Sequence, residues 1–137
     1  MSFIKWNSDL EIGILIVDDQ HRLLVDMINE LHESLSSNED IEKLNDTMTG
    51  LLYYTETHFN TEEELFDKYN YPEANEHIKE HNDFIMKVTD RFDKLKKGNL
   101  VLSVDIARFL KDWFVNHVMI EDKKLRPFLV EKGIIEK

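Results

Sequence analysis

The chain has no cysteine among its 137 residues. Disulfide bridges, thiolate-ligated zinc sites, iron–sulfur clusters and a cysteine nucleophile are therefore excluded as classes. Glycine and proline are also scarce, with four and two residues, which leaves little sequence for linkers or tight turns. This composition favours long helices.

Long hydrophobic runs and an excess of positive charge are absent as well. No stretch is long enough to span a bilayer, and the first residues lack the basic leader and apolar core of a signal peptide. The 17 Lys and Arg are outnumbered by 28 Asp and Glu, which gives a formal net charge of −11 and repels phosphate backbones. We expect a cytoplasmic protein with no membrane span and no nucleic-acid partner.

Apolar residues recur at helical spacing in four segments. They predict one all-α domain over 1–137, folded as an up-down-up-down four-helix bundle with an ordered N-terminal arm over 1–17. Asp18 or Asp19 is the predicted N-cap of the first helix, and Pro127 marks the end of the last or a short extra turn. The predicted helices span about 19–36, 41–69, 73–97 and 103–124.

Two histidine-containing pairs have the spacing of metal-chelating pairs on helices. His58 and Glu62 stand four residues apart on the second predicted helix, and His77 and His81 stand four apart on the third. Residues at this spacing project from one helix face. Apolar residues flank both pairs, so both are predicted to point into the core.

Two further histidines are predicted at the same level of the bundle. His21 lies near the start of the first helix and His117 toward the end of the fourth, each in phase with apolar neighbours. Buried imidazole and carboxylate groups must be paired or bind a metal. His32 lies eleven residues beyond His21, about 16 Å along the axis, and is predicted to be a structural or surface residue.

These residues together give the sequence its resemblance to the hemerythrin family, in particular to its single-domain bacterial members. The likeness covers essentially the whole chain, and the joint pattern is far more specific than any one part. It rests on Trp6, the segment 16–21 that ends in His21, His58-x-x-x-Glu62, His77-x-x-x-His81 and His117-x-x-x-x-Asp122.

The resemblance implies two iron ions, Fe²⁺ or Fe³⁺, bridged by an oxo or hydroxo group and by two carboxylates. In that arrangement one iron is held by His77, His81 and His117, the other by His21 and His58, and the bridges are Glu62 and Asp122. These ligands fill all but one position of two octahedral irons, and the free position is on the two-histidine iron. The choice of iron over manganese also rests on the resemblance.

The function that the resemblance implies is reversible dioxygen binding, for transport, storage or delivery to an oxygen-consuming enzyme. Reversible binding requires that solvent be kept away from the bound dioxygen, and an apolar lining excludes it. Trp113, Phe114, Phe59 and Ile120 are the predicted lining residues of this oxygen pocket. Phe114 occupies a position that is commonly Leu in the family, so its bulk is expected to narrow the pocket or change autoxidation.

The spacing between His117 and Asp122 conflicts with a regular helix. Residues five apart are separated by about 140° around the axis, whereas Glu121 would share the face of the histidine. The family motif selects Asp122. We follow the motif and predict that the helix widens locally, as in a π-bulge, or that Asp122 reaches sideways.

Other functions are compatible with parts of this pattern. A sensor of oxygen, nitric oxide or redox state is one alternative, and a di-iron oxidase or peroxidase is another. Ferritin-like oxidases use four carboxylates and Glu-x-x-His motifs, and no histidine of this chain has Glu three residues before it. A zinc hydrolase is disfavoured because His-Glu-x-x-His is missing. We expect a monomeric binding protein and not an enzyme.

Overall fold

The computed structural model describes residues 3–36, 41–97 and 102–133, and within these ranges the chain contains helices and no strand. Each of the first three long helices packs on the next, and the fourth packs back on the first. This closes the predicted four-helix bundle. The helices are α1 (Leu15–Ser36), α2 (Ile41–Tyr69), α3 (Ala74–Lys96), α4 (Leu102–Asn116) and a short α5 (Leu125–Glu131).

The amphipathic pattern of α3 shows how the bundle positions polar groups in its core. Its buried residues recur every three or four positions, and the first two of them are histidines: His77, His81, Phe84, Val88, Phe92 and Leu95. The histidines therefore continue the apolar stripe at the N-terminal end of the helix.

A tight turn joins α2 to α3. Asn70 has a left-handed backbone with φ of 54°, a conformation that Asn tolerates better than most residues. The Tyr71 N–H then donates to the Phe66 carbonyl at 2.9 Å, and the Tyr71 ring is buried against Phe66. The short connection places the end of α2 beside the start of α3, where Pro72 disfavours further helix before it.

Helix α1 begins at Leu15, four residues before the predicted start, and the predicted N-caps are wrong. Asp18 lies inside the first turn, where its carboxylate accepts the backbone N–H groups of Ile12 (2.8 Å) and Gly13 (3.0 Å). Asp19 is exposed and pairs with Arg22. Asp18 therefore fastens the arm to the helix instead of capping the helix.

Glycine is required at position 13. Its φ is +88°, and an added Cβ would lie 1.5 Å from Nη1 of Arg126. That guanidinium donates to the Ile12 carbonyl at 3.3 Å. A side chain at this position would therefore be strained and would displace a contact between the arm and the C-terminal end of the bundle.

The N-terminal end of the arm is attached to the middle of α1. Ile4 donates its N–H to Asn29 Oδ1 at 2.7 Å, and Asn29 Nδ2 donates back to the Ile4 carbonyl at 2.9 Å. The ring of Phe3 stacks on His32 with 4.0 Å between centroids. His32 thus helps to hold the arm, in agreement with a structural role.

The chain stays helical beyond the predicted end of the fourth helix. A π turn (His117–Glu121) and a 3₁₀ turn (Asp122–Lys124) follow α4 and lead directly into α5. Pro127 lies in the first turn of α5, where a proline is tolerated. Among the described helices, none combines the length and apolar character of a bilayer-spanning segment.

Candidate metal centre

Five histidines and two carboxylates are buried together in the bundle. They come from α1, α2, α3 and the two turns that follow α4, and each has less than a tenth of its surface exposed. The structure therefore brings together all seven of the predicted ligands: His21, His58, Glu62, His77, His81, His117 and Asp122.

Their donor atoms form two groups that share both carboxylates. Within each group, the atoms that could bind a metal lie within 4.8 Å of one another. The three-histidine group consists of His77, His81 and His117, the two-histidine group of His21 and His58, and Glu62 and Asp122 belong to both. This division matches the one that the resemblance implies.

Asp122 has one carboxylate oxygen on each side of the cluster. Its Oδ1 lies 2.9 Å from His77 Nε2 and 3.0 Å from His117 Nε2. Its Oδ2 lies 3.0 Å from His21 Nε2. A carboxylate in this orientation can bridge two metal ions.

Glu62 lies between the same two groups. Its Oε1 is 3.2 Å from His81 Nε2 and 3.8 Å from His77 Nε2, and it is 3.5 Å from His58 Nε2. The Glu62 side chain is fully buried. Both carboxylates therefore face both histidine groups.

The π turn explains how His117 and Asp122 reach one site. The Asp122 N–H donates to the carbonyl of His117, five residues earlier, so this turn holds more residues than a regular α-turn. The predicted widening of the helix is confirmed. Glu121 instead pairs with Lys124 at 3.4 Å and is 24% exposed.

The donor atoms fit a metal better than they fit one another. Both oxygens of Glu62 and of Asp122, and Nε2 of His21 and His81, are buried without a correctly aligned hydrogen-bond partner. Such groups are costly to leave unsatisfied. A set of imidazole and carboxylate donors suits divalent first-row metals.

Burial keeps two of the histidines in the form that binds metals. Desolvation, aided by the nearby charge of His21, lowers the pKa of His58 to about 3. Desolvation and the charge of His117 lower the pKa of His81 to about 2. Both imidazoles are therefore neutral at neutral pH, as a metal ligand must be.

The two carboxylates respond to this environment in opposite ways. Burial, together with the charge of Asp122, raises the pKa of Glu62 well above its usual value. Burial alone would also raise the pKa of Asp122, but the charge of His117 and the close approach of the His21 and His77 imidazoles hold it well below its usual value. Each carboxylate disfavours the charged form of the other through electrostatic repulsion. A cation between them relieves that repulsion.

Side chains outside the cluster orient the rings. The Nδ1 of His58 lies 2.6 Å from Gln20 Oε1, and the Nδ1 of His81 lies 3.0 Å from Glu63 Oε2. Such partners fix which ring nitrogen carries the proton and which faces the metal.

The third outer partner is Glu80, whose Oε2 lies at an ion-pair distance of 3.4 Å from His117 Nδ1 without the alignment of a hydrogen bond. Sequence reasoning did not identify any of the three. Each of them is the direct chain neighbour of a residue in the cluster, and this adjacency is the signal that could have identified them.

A small cavity of about 20 Å³ adjoins the two-histidine group. Its wall includes His21 and His58 and three of the predicted lining residues, Phe59, Trp113 and Phe114. The Phe114 ring meets His21 edge-on with 5.5 Å between centroids. The rest of the wall comes mainly from core residues that sequence alone could not separate from ordinary packing: Leu24, Ile28, Leu51, Phe84, Leu110 and Val118.

Ile120 does not line this cavity, so the fourth lining prediction is wrong. Its side chain is 55% exposed and lies on a solvent-open groove beside Glu80 and Glu121. The prediction assumed a regular helix, in which Ile120 shares a face with His117. The π turn shifts that phase and directs Asp122 inward instead.

Comparisons with known proteins agree with this geometry. Residues 13–129 match the family described as Hemerythrin HHE cation binding domain. The bacteriohemerythrin of Stenotrophomonas maltophilia is 31% identical over 123 residues, which cover 90% of this chain and 79% of that protein. The bacteriohemerythrin of Methylococcus capsulatus is 29% identical over 130 residues, covering 94% and 98%.

A myohemerythrin and a solved structure show the same likeness. The myohemerythrin of Theromyzon tessulatum is 28% identical over 122 residues, which cover 89% of this chain and 90% of that protein. A crystal structure of wild-type hemerythrin superimposes with a TM-score of 0.84 at 28% identity, covering 93% of this chain and 98% of the other. The chain therefore belongs to the hemerythrin family.

Proposed function

We propose that this chain binds dioxygen reversibly at a di-iron centre and acts as a binding protein, not as an enzyme. The proposed ligands are His77, His81 and His117 on one iron, His21 and His58 on the other, and Glu62 and Asp122 between them. The names of the relatives, bacteriohemerythrin and myohemerythrin, support the family assignment. The observation that carries the function is the position of the small cavity beside His21 and His58.

The cavity lies mainly beside the histidine group that has fewer members. Its wall includes both members of the two-histidine group, and His117 is the one member of the three-histidine group that it includes. Two irons held here would supply the electrons that bind dioxygen, and His21 and His58 would give one of them fewer protein ligands than the other. The cavity provides space beside that position.

The chemistry of the wall suits a small apolar gas. A volume of about 20 Å³ is about the space that one water-sized molecule requires. Besides the histidines, the wall is mostly aliphatic and aromatic, and the Thr55 hydroxyl donates to the Leu51 carbonyl at 2.7 Å. Such a wall excludes water and so limits competing reactions.

The test is a visible spectrum of the iron-loaded protein, recorded after anaerobic reduction, then in air, then after oxygen removal. We expect charge-transfer bands that appear in air and disappear on deoxygenation over repeated cycles. The variant His58→Ala should lose the cycle, and the matched variant His32→Ala should keep it, since His32 stacks on the arm away from the cluster. Irreversible conversion to a ferric spectrum would instead indicate an oxidase or a redox sensor.

Three further parts of the proposal rest on the sequence. They are a monomeric state, a cytoplasmic location and delivery of oxygen to an oxygen-consuming enzyme. Light scattering of the iron-loaded protein measures the first, and fractionation of source cells measures the second. The third requires that adding the oxygen-loaded protein increases turnover of such an enzyme at low oxygen.

A further inference from the structure

The outer partners of the two histidine groups differ in charge. In the three-histidine group, His81 faces the Glu63 carboxylate at 3.0 Å and His117 faces Glu80 at 3.4 Å. In the two-histidine group, His58 faces a neutral amide, Gln20, at 2.6 Å.

The second member of the two-histidine group has no outer carboxylate among the described residues. The Nδ1 of His21 is buried without a hydrogen-bond partner. Among the described residues, two histidines of the three-histidine group therefore have a carboxylate near Nδ1, and neither histidine of the two-histidine group does. Both histidines of the two-histidine group, His21 and His58, line the cavity.

The position of Gln20 determines which nitrogen of His58 faces the centre. Gln20 Nε2 donates to Thr61 Oγ1 at 3.1 Å, so its Oε1 is directed at His58 Nδ1. The Thr61 hydroxyl donates in turn to the Thr57 carbonyl at 3.2 Å. Because an amide oxygen only accepts, Nδ1 of His58 must carry the proton, and Nε2 is free to bind a metal.

The charge of an outer partner changes what the ring gives to the metal. A carboxylate that accepts the Nδ1 proton makes the imidazole more basic, and a more basic ligand favours the more highly charged metal. An amide orients the ring in the same way and has a weaker effect on its basicity. Gln20 therefore orients His58 in the way that Glu63 orients His81. It would add less electron density to an iron bound by His58.

We propose that Gln20 is a positioning residue that keeps the two-histidine iron less electron-rich than its neighbour and thereby slows its irreversible oxidation. This inference rests on the proposed function, because it assumes a di-iron centre. Gln20 acts through His58, and the Glu63–His81 pair is its charged counterpart on the other side.

The test replaces Gln20 with a residue of similar shape and different charge. Gln20→Glu retains an oxygen toward His58 Nδ1 and adds one negative charge, and the Thr61 hydroxyl can turn to donate to it. We expect a lower reduction potential in an anaerobic redox titration of the visible bands, iron content equal to wild type, and autoxidation faster by about 10-fold. Gln20→Leu, which removes the acceptor, should lower iron content, and Gln20→Glu should not.

Two further variants separate this local effect from net charge and from misfolding. Asn60→Asp adds the same charge at an exposed position of α2 and should leave the potential unchanged. Glu63→Gln makes the opposite change on the three-histidine side and should raise the potential, so the proposal remains testable if Gln20→Glu does not fold.

The outcomes distinguish the two proposals. If wild-type protein cycles with oxygen and Gln20→Glu shifts the potential no more than Asn60→Asp does, the role of Gln20 is refuted and the proposed function stands. An unchanged potential in Glu63→Gln would equally refute it. If wild-type protein binds no iron or shows no cycle, the proposed function fails and this inference fails with it.

Discussion

The two sides of the histidine cluster are packed differently. On the three-histidine side, aromatic rings lie flat on the ligands: Phe59 stacks on His81 at 3.7 Å and Trp113 stacks on His117 at 4.3 Å between centroids. On the two-histidine side, His21 meets its aromatic neighbour edge-on, and the cavity lies between the packed groups. The cavity therefore borders both rings of the two-histidine group but only His117 of the three-histidine group.

The comparison shows how one bundle can combine stable metal binding with access for a ligand. Flat stacking and charged outer partners fix the rings of the three-histidine group. The two-histidine group is held by an amide and borders empty space. Four changes test this contrast, and their expected effects decrease from the first to the last.

The largest effect is expected from Asp122→Ala, because Asp122 has an oxygen on each side of the cluster. We expect iron affinity to fall more than about 100-fold, beyond the range for outer partners, and both irons to be lost together. Metal analysis after gel filtration measures this. The matched variant Glu121→Ala should retain two irons, and loss of iron in Glu121→Ala alone would show that the ligand is misassigned.

The next effect is expected from Phe114→Ala, which enlarges the cavity on the open side only. Removing a buried phenylalanine should cost about 3–5 kcal/mol of stability and speed autoxidation by admitting water. Phe92→Ala creates a similar void elsewhere in the core and should cost about as much stability at an unchanged autoxidation rate. Thermal unfolding and the decay of the visible bands measure the two effects, and equal decay in both variants would contradict a specific role for the cavity wall.

Removal of the metal should destabilise the whole fold, because both sides then keep buried donors without partners. A metal that binds only the native state adds about 2.7 kcal/mol when its free concentration is about 100 times the dissociation constant. Calorimetry with and without a chelator measures the difference. An unchanged melting temperature would mean that the donors find partners among themselves.

The smallest effect is expected from Asn29→Ala, which removes both hydrogen bonds to Ile4 in the arm. Each such bond contributes about 0.5–1.5 kcal/mol. The free energy of unfolding in urea should fall accordingly, while the visible spectrum stays that of wild type. A changed visible spectrum in Asn29→Ala would show that the arm affects the metal centre, which its contacts do not indicate.

Much of the centre could be predicted because its ligands follow helical spacing. His58 and Glu62, like His77 and His81, are four residues apart, and a regular helix is enough to place each pair on one face. The family motif at His117 selected Asp122, whereas regular helical geometry would have selected Glu121. The same regular geometry gave the wrong position for Ile120, because the widened turn changes the phase after His117.

Periodicity and the family motif were enough to predict the four amphipathic helices, the inward direction of five histidines and the seven residues that meet in the cluster. Tertiary structure decided what periodicity does not encode. The arm uses Asp18 as an acceptor, so α1 starts earlier than its N-cap pattern indicated. Likewise, the outer partners and the cavity arise from side chains of different helices that meet only when the bundle packs, and their distances depend on that packing.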